Sequence, residues 1–151
     1  MNKKCFKITA SIIATIFIFA AGLFLIKKDN NSYKKIKLGD VILKTEIALS
    51  ADEKQKGLSG RDYMTKNRAM LFVFRQSGSY SFWMKDMKFP IDIIWLDDGL
   101  KIIGLEKNIK PNTFPEKFSP PSPAKFVLEV NGGWSDENEI KEGMTARILN
   151  K

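Results

Sequence analysis

Pro90 cuts the densest apolar stretch of the chain, Ser79–Asp98, into two runs of strand length. A proline has no N–H for a sheet ladder and breaks a helix interior, so no regular element passes through this point as a central one. Ile91–Leu96 then reads as a strand. Asp97-Asp98-Gly99 reads as the hairpin turn that sends the chain back along Leu100–Leu105. The same stretch encloses charge: Lys85, Asp86, Lys88 and Asp92 stand among Trp83, Trp95 and many aliphatic residues. A buried charge needs a partner, so this segment should hold both the core and the chain's most constrained polar groups.

The remaining periodic runs are short and extended. Val41–Leu49 alternates, with Val41, Leu43, Thr45 and Ile47 facing away from Ile42, Lys44, Glu46 and Ala48. Ala69–Phe74 is apolar on both faces, Ala124–Val130 alternates, and Met144–Leu149 gives a last strand. Tyr80–Met84 is expected to return as a strand after a turn at Gln76–Ser79. Ser50-Ala51-Asp52-Glu53 fits a capping box, so a short helix should run from there to Gly57, a natural stop. A second short helix is expected over Trp134–Glu139. Lys110–Pro123 holds all but one of the six prolines and reads as a long loop. About seven strands at this spacing predict an all-β sandwich or barrel with two short helices.

A different element precedes this domain. Ile8–Ile26 is 19 residues without a charge, bracketed by Lys3, Lys4 and Lys7 before it and by Lys27 and Lys28 after it. As a helix it would span about 28 Å, close to a bilayer's hydrocarbon core. The greater positive charge on its N-terminal side keeps that end in the cytoplasm and exports the C-terminal remainder of the chain. We therefore read residues 1–28 as a signal anchor, Asp29–Lys37 as a tether, and residues 38–151 as the exported domain. Cleavage after the small residues Ala20-Ala21-Gly22 is the alternative, and it too exports the domain.

Charge divides at the same boundary. The chain's formal charge is +8, but residues 1–28 hold five lysines and no acid, so the remainder carries only +3. The basicity thus marks topology, and no nucleic-acid partner is expected. There is no histidine, and the single cysteine, Cys5, precedes the apolar run. Histidine-based triads, cysteine nucleophiles and zinc-spaced clusters are therefore absent from the domain, and no cofactor is expected.

Several motifs occur in a recognisable order. They are Glu53 with Lys56-Gly57-Leu58-Ser59-Gly60-Arg61, then Ala69–Phe74, Ser81-Phe82-Trp83-Met84-Lys85, Pro90-Ile91-Asp92-Ile93-Ile94, and Lys125–Trp134. In this order the chain resembles the bacterial and archaeal family catalogued as domain of unknown function 192, from about Lys37 to Leu149. The resemblance implies a β-rich, jelly-roll-like domain, often exported, and no established activity. Cysteines that some relatives carry in the central loop are missing from Lys110–Pro123.

For a ligand site, Arg61, Trp83, Lys85, Asp92, Glu129 and Asn131 are the candidates. Asp92 lies in an apolar run, and Arg61 sits in a Gly-flanked loop able to approach it, so a bidentate ion pair is expected. Such a pair is either a structural pin or part of a binding site. Tyr80, Phe82, Trp83 and Phe89, interleaved with Lys85 and Lys88, offer a platform for stacking on a sugar. Met84 and Met87 beside Trp83, with Met64 and Met70 elsewhere in the chain, admit a thioether Cu(I) site, although methionine among aromatics usually fills core space. A glycosidase-like carboxylate pair among Asp86, Asp92, Glu106 and Glu129 is a further possibility. The reading that results is a non-catalytic binding module of the cell envelope, with an envelope carbohydrate or protein as partner. A hydrolase acting on an envelope polymer is the alternative.

Overall fold

The computed structural model describes residues 33–149, which contain seven strands and two short α-helices. The apolar run Ile8–Ile26 and the first part of the tether lie outside the described residues. Among those described, no helix is long and apolar enough to cross a membrane.

Strands β1 (Lys34–Leu38) and β2 (Val41–Ala48) form an antiparallel hairpin. Helix α1 (Ala51–Lys56) comes after them and is capped as expected. The Ser50 hydroxyl accepts from the Glu53 N–H at 3.2 Å, and the Glu53 carboxylate accepts from the Ser50 N–H at 2.8 Å. Two orphan donors are thereby satisfied. The bond from the Ser50 N–H, together with one from the Leu49 N–H, holds the Glu53 carboxyl below its usual range. Strands β3 (Arg68–Gly78), β4 (Ile91–Leu96), β5 (Ile102–Ile109) and β6 (Ala124–Asn131) come next, then helix α2 (Trp134–Glu137) and β7 (Arg147–Leu149).

All seven strands belong to one sheet, in the order β5-β4-β6-β3-β2-β1-β7. Every pairing is antiparallel except β2 with β3. A parallel pair needs a long crossover, and residues 49–67, which include α1, supply it. The two ends of the sheet also meet. The segment entering β7 pairs with the start of β5: Ile102 donates to the Met144 carbonyl, Gly143 to that of Ile102, and Ala146 to that of Leu100, at 2.8–2.9 Å. Closure removes most of the open strand edge.

Alternation then sorts side chains between two cores. The inner one gathers Ile36, Leu38, Leu43, Leu71, Ile94, Leu96, Ile102, Leu128 and Val130, with Trp134 among them. The outer one lies on the opposite face of β3, β4 and β6. There Met70, Phe72, Ile91, Ile93, Trp95 and Val127 pack against Leu58, Met84, Phe82, Phe89 and Phe118 from the long loops. Burial on both faces explains why all six residues of β4 are inaccessible to solvent.

The all-β reading holds, with several differences, one being that β3 continues to Gly78 through the turn expected at Gln76–Ser79. The stretch expected to be tether as far as Lys37 enters the sheet at Lys34. Ile36 and Leu38 are buried, while lysines on the opposite face disguise the strand as a linker. Tyr80–Met84 is not a strand. Its one ladder contact is an antiparallel bridge from Phe82 to Phe118, with hydrogen bonds of 2.8 and 2.9 Å, because the proline-rich loop supplies the partner. The last strand is shortened to Arg147–Leu149, since residues 143–146 are used in the closure. Finally, the strands join in one sheet whose ends meet, which departs from the sandwich and jelly-roll expectation and fits the barrel alternative, because β6 pairs with β3 on one side and β4 on the other.

Candidate functional site

The register across three strands lines up Glu46, Met70 and Glu129 in one rung, with Ile93 next to Glu129. Directly opposed residues share a face. On β6, Leu128 and Val130 point into the inner core, so Glu129 points outward, as Val127 does. Two carboxylates are thus planted on the outer face, beneath the crossover that leaves α1.

Their environments differ. Arg61 reaches Glu46 with both terminal nitrogens, at 2.8 Å each, and the Glu46 side chain is only 8% exposed. This charge-assisted fork raises the Arg61 pKa above its ordinary value, against the opposing effect of burial. Glu129 is buried, and its Oε2 has no hydrogen-bond partner. Burial pushes its pKa up to about 8, and the neighbouring Arg61 charge offsets this only in part. At neutral pH Glu129 is therefore a neutral carboxylic acid, able to donate as well as accept.

A groove of about 340 Å³ opens over this acid. Glu129 closes one part of it, Gly57, Leu58 and Ser59 another, and Phe72, Phe74, Tyr80, Phe82 and Trp83 line the rest. The rings brace one another. Phe74 and Tyr80 stack at 3.5 Å and 7°, and Phe72 meets Phe82 edge-on at 4.8 Å. Trp83 is 45% exposed, with Phe114 edge-on at 6.3 Å and the Lys117 ammonium 5.6 Å from its ring centroid. Lys54, another lining residue, lies 5.2 Å from the Phe74 ring centroid. Gly57 is fixed twice over: its φ is 49°, and a Cβ there would lie 3.3 Å from Phe72 and 3.8 Å from Glu129 Oε2.

The six candidate residues are not brought to one place. Trp83 and Glu129 line the groove, and Arg61 acts on Glu129 from beside it. Lys85 is exposed, and its carbonyl accepts from the Ser59 hydroxyl at 2.8 Å. Asn131 holds a loop through the Thr65 carbonyl at 3.3 Å. Neither is a lining residue.

The expected pairing of Arg61 with Asp92 is wrong. Asp92 alternates with Ile91 and Ile93 and so faces the side of Ile94, opposite the face that carries Glu46 and Glu129. Its carboxylate is fully buried and accepts from the backbone N–H groups of Asn108, Gly133 and Ser135 at 2.7–2.8 Å. Three main-chain donors satisfy the charge without any cation. It is a structural pin that ligands cannot reach.

Glu46 is the residue that sequence reasoning missed. It stands on the face of β2 that also carries Ile42, Lys44 and Ala48, and nothing local announces that the crossover covers it. The four methionines Met64, Met70, Met84 and Met87 pack into the outer core as apolar filler. Among the described residues, no group of three or more His, Cys, Asp or Glu side chains could hold a metal ion.

A double-mutant cycle tests the arrangement. Arg61→Met removes both charge-assisted hydrogen bonds to the Glu46 carboxylate and should destabilise the domain by about 2–3 kcal/mol, below the range for fully buried pairs because Arg61 is 34% exposed. Coupling with Glu46→Gln should recover most of that loss. Coupling with Asp92→Asn should lie within about 0.5 kcal/mol of zero, since the two share no partner.

Known proteins resemble this chain at the level of family and fold. The sequence profile of DUF192, described as Uncharacterized ACR, matches residues 34–148. A crystal structure from Sinorhizobium meliloti 1021, of a protein named as a candidate transcription regulator, has 23% identity and a TM-score of 0.74. The similarity covers 78% of this chain and 95% of that one. A protein of unknown function from Novosphingobium aromaticivorans DSM 12444 has 24% identity and a TM-score of 0.71, covering 75% of this chain and 83% of the other. At such identities the likeness carries the fold alone. No curated protein matches the chain.

Proposed function

The chain belongs to the DUF192 family, and we propose that it is a non-catalytic binding module of the cell envelope whose groove takes a carbohydrate. The observation that carries this reading is Glu129, a buried acid with an unpartnered oxygen beneath an aromatic groove. A buried polar atom without a partner is rare and costly, and a polar ligand is one way to supply the partner. Aromatic faces stack on the apolar faces of sugar rings, while a neutral carboxyl and the hydroxyls of Ser59, Ser79 and Ser81 suit a polyhydroxylated ligand. The groove's volume falls in the range of small-molecule sites. In this reading Ile8–Ile26 anchors the protein in the cytoplasmic membrane and presents a closed, barrel-like β-domain outside it.

A second reading is favoured by one observation, the raised Glu129 pKa, which suits a general acid in glycoside hydrolysis. One substitution separates the two. Glutamine is nearly isosteric with glutamate and still donates a hydrogen bond, but it cannot deliver a proton. With soluble glycan fragments as probes, a binding module should keep its affinity within about threefold in Glu129→Gln. It should lose roughly 10-fold or more in Trp83→Ala, the loss of one stacking ring. A hydrolase would instead cleave the fragments, and turnover would fall by about 10²–10⁴ in Glu129→Gln. Absence of any thermal shift across the fragments would refute the carbohydrate assignment.

A further inference from the structure

Away from the groove, the outer face of the sheet changes character. The pairings β7–β1–β2–β3 set Leu149, Lys35, Lys44 and Arg68 in one rung and Arg147, Lys37 and Ile42 in the next. Ile36 and Leu38 are buried in the inner core, so Lys35 and Lys37 point outward, and their rung partners with them. Lys35, Lys37, Lys44 and Arg147 are all exposed. Tyr33 lies on the same face, its ring 4.5 Å from the Lys44 ammonium and 4.6 Å from the Arg68 guanidinium. These two rungs hold five basic side chains and no acid. Among the described residues, none of the five takes part in an ion pair.

Such concentration contrasts with the rest of the domain, where basic and acidic residues nearly balance and Lys66, Lys88 and Lys107 are paired with acids. We infer that this basic face is a docking surface for a membrane carrying anionic lipid headgroups. Two observations favour a lipid surface over other polyanions. The face is built on the first strand of the domain, and only residues 29–33 separate that strand from Lys28 at the end of the apolar run. A linker of that length reaches about 20 Å at full extension. The charges are also spread over the four neighbouring strands β7, β1, β2 and β3 beside the exposed aliphatic Ile42, rather than gathered in a groove, which suits an array of headgroups better than a groove-bound chain. Anionic headgroups attract each nearby lysine or arginine, and several act together.

The inference rests on the anchor reading for its biological setting, and the experiment separates the two. Residues 31–151 form a compact unit, and the S. meliloti structure consists almost wholly of the matching region, so this part is tested alone. Its binding to vesicles of phosphatidylglycerol and phosphatidylcholine should be strong at low salt, lost at high salt, and lost on pure phosphatidylcholine. The triple substitution Lys35→Gln, Lys37→Gln, Arg147→Gln should weaken binding about 100-fold, a factor of about five per removed charge. Lys110→Gln, past the end of β5 that lies away from β7, should leave it unchanged. All these positions are exposed, and an unchanged melting temperature certifies the fold. Equal binding by the triple variant, or tighter retention by a phosphodiester polymer such as single-stranded DNA than by the vesicles, would overturn the inference. Carbonate extraction of the full-length chain from membranes tests the anchor separately. Release of the full chain would end the anchor reading while the vesicle result still stands or falls by itself.

Discussion

Asp92→Ala should destabilise the domain by about 4–6 kcal/mol, a large part of the roughly 5–15 kcal/mol that holds a typical domain together. The carboxylate accepts three main-chain hydrogen bonds, from Asn108 at 2.7 Å, Gly133 at 2.8 Å and Ser135 at 2.7 Å. Hydrogen bonds to a charged group contribute about 1.5–3 kcal/mol each, and their sum overstates the loss because the freed donors partly relax. Those donors belong to three places: β5 near its end, the turn after β6, and α2. A single side chain therefore fixes where two connections leave the sheet. Asp92→Asn should be milder, about 2–3 kcal/mol. The two bonds to Oδ1 survive, but an amide now faces the Ser135 N–H, donor against donor. Urea unfolding of the three proteins checks the order. A loss under about 1 kcal/mol for the alanine variant would show that the three amides find other partners.

A pH effect of similar size is expected at Glu129. Its pKa in the folded state is raised to about 8, whereas an unfolded chain returns it to about 4.5. Below pH 4.5 both states hold the proton. Between 4.5 and 8 the unfolded state releases it and the folded state does not, so stability falls as pH rises. Above about 8 both are ionised and the loss is complete, at about 3–5 kcal/mol. Glu129→Gln removes the titration. Its stability relative to the parent should therefore improve steadily from about pH 5 to about pH 8, then stay level. A difference that is flat with pH would mean that Glu129 is ionised in the folded protein and has found a partner. The same group governs ligand binding: if the neutral acid is the form that holds a sugar, affinity should decline above about pH 8 in the parent and not in the variant.

Much of the fold was legible in the chain because its signals are local. The capping box at Ser50–Glu53, the stop at Gly57, the turn at Asp97–Gly99 and the strand at Ile91–Leu96 each depend on a few neighbouring residues, and each is in place. The end of the tether was misread because Lys35 and Lys37 outweighed Ile36 and Leu38 in a short window. The second run of the Pro90 stretch behaved as expected, while the first, Tyr80–Met84, did not. The strand partner of Phe82 turned out to be Phe118, 36 residues downstream (118 less 82) in a loop without periodicity.

The candidate site divides along the same line. That the Asp92 carboxylate needs strong partners, and that Glu129 and Trp83 stand in segments resembling one family, can be read from composition and order alone. The identity of the partners cannot. A strand's period of two states which residues share a face but not which face a loop will cover, and a shift of one residue exchanges the two. Pairing β6 between β3 and β4 put Glu129 on the outer face and Asp92 on the inner. The crossover over β2 then gave Arg61 to Glu46, so that the cation expected at Asp92 was engaged elsewhere. Local chemistry set each side chain's demand for a partner. Long-range strand register and the path of the crossover determined which partner it met, and left Glu129 Oε2 without one.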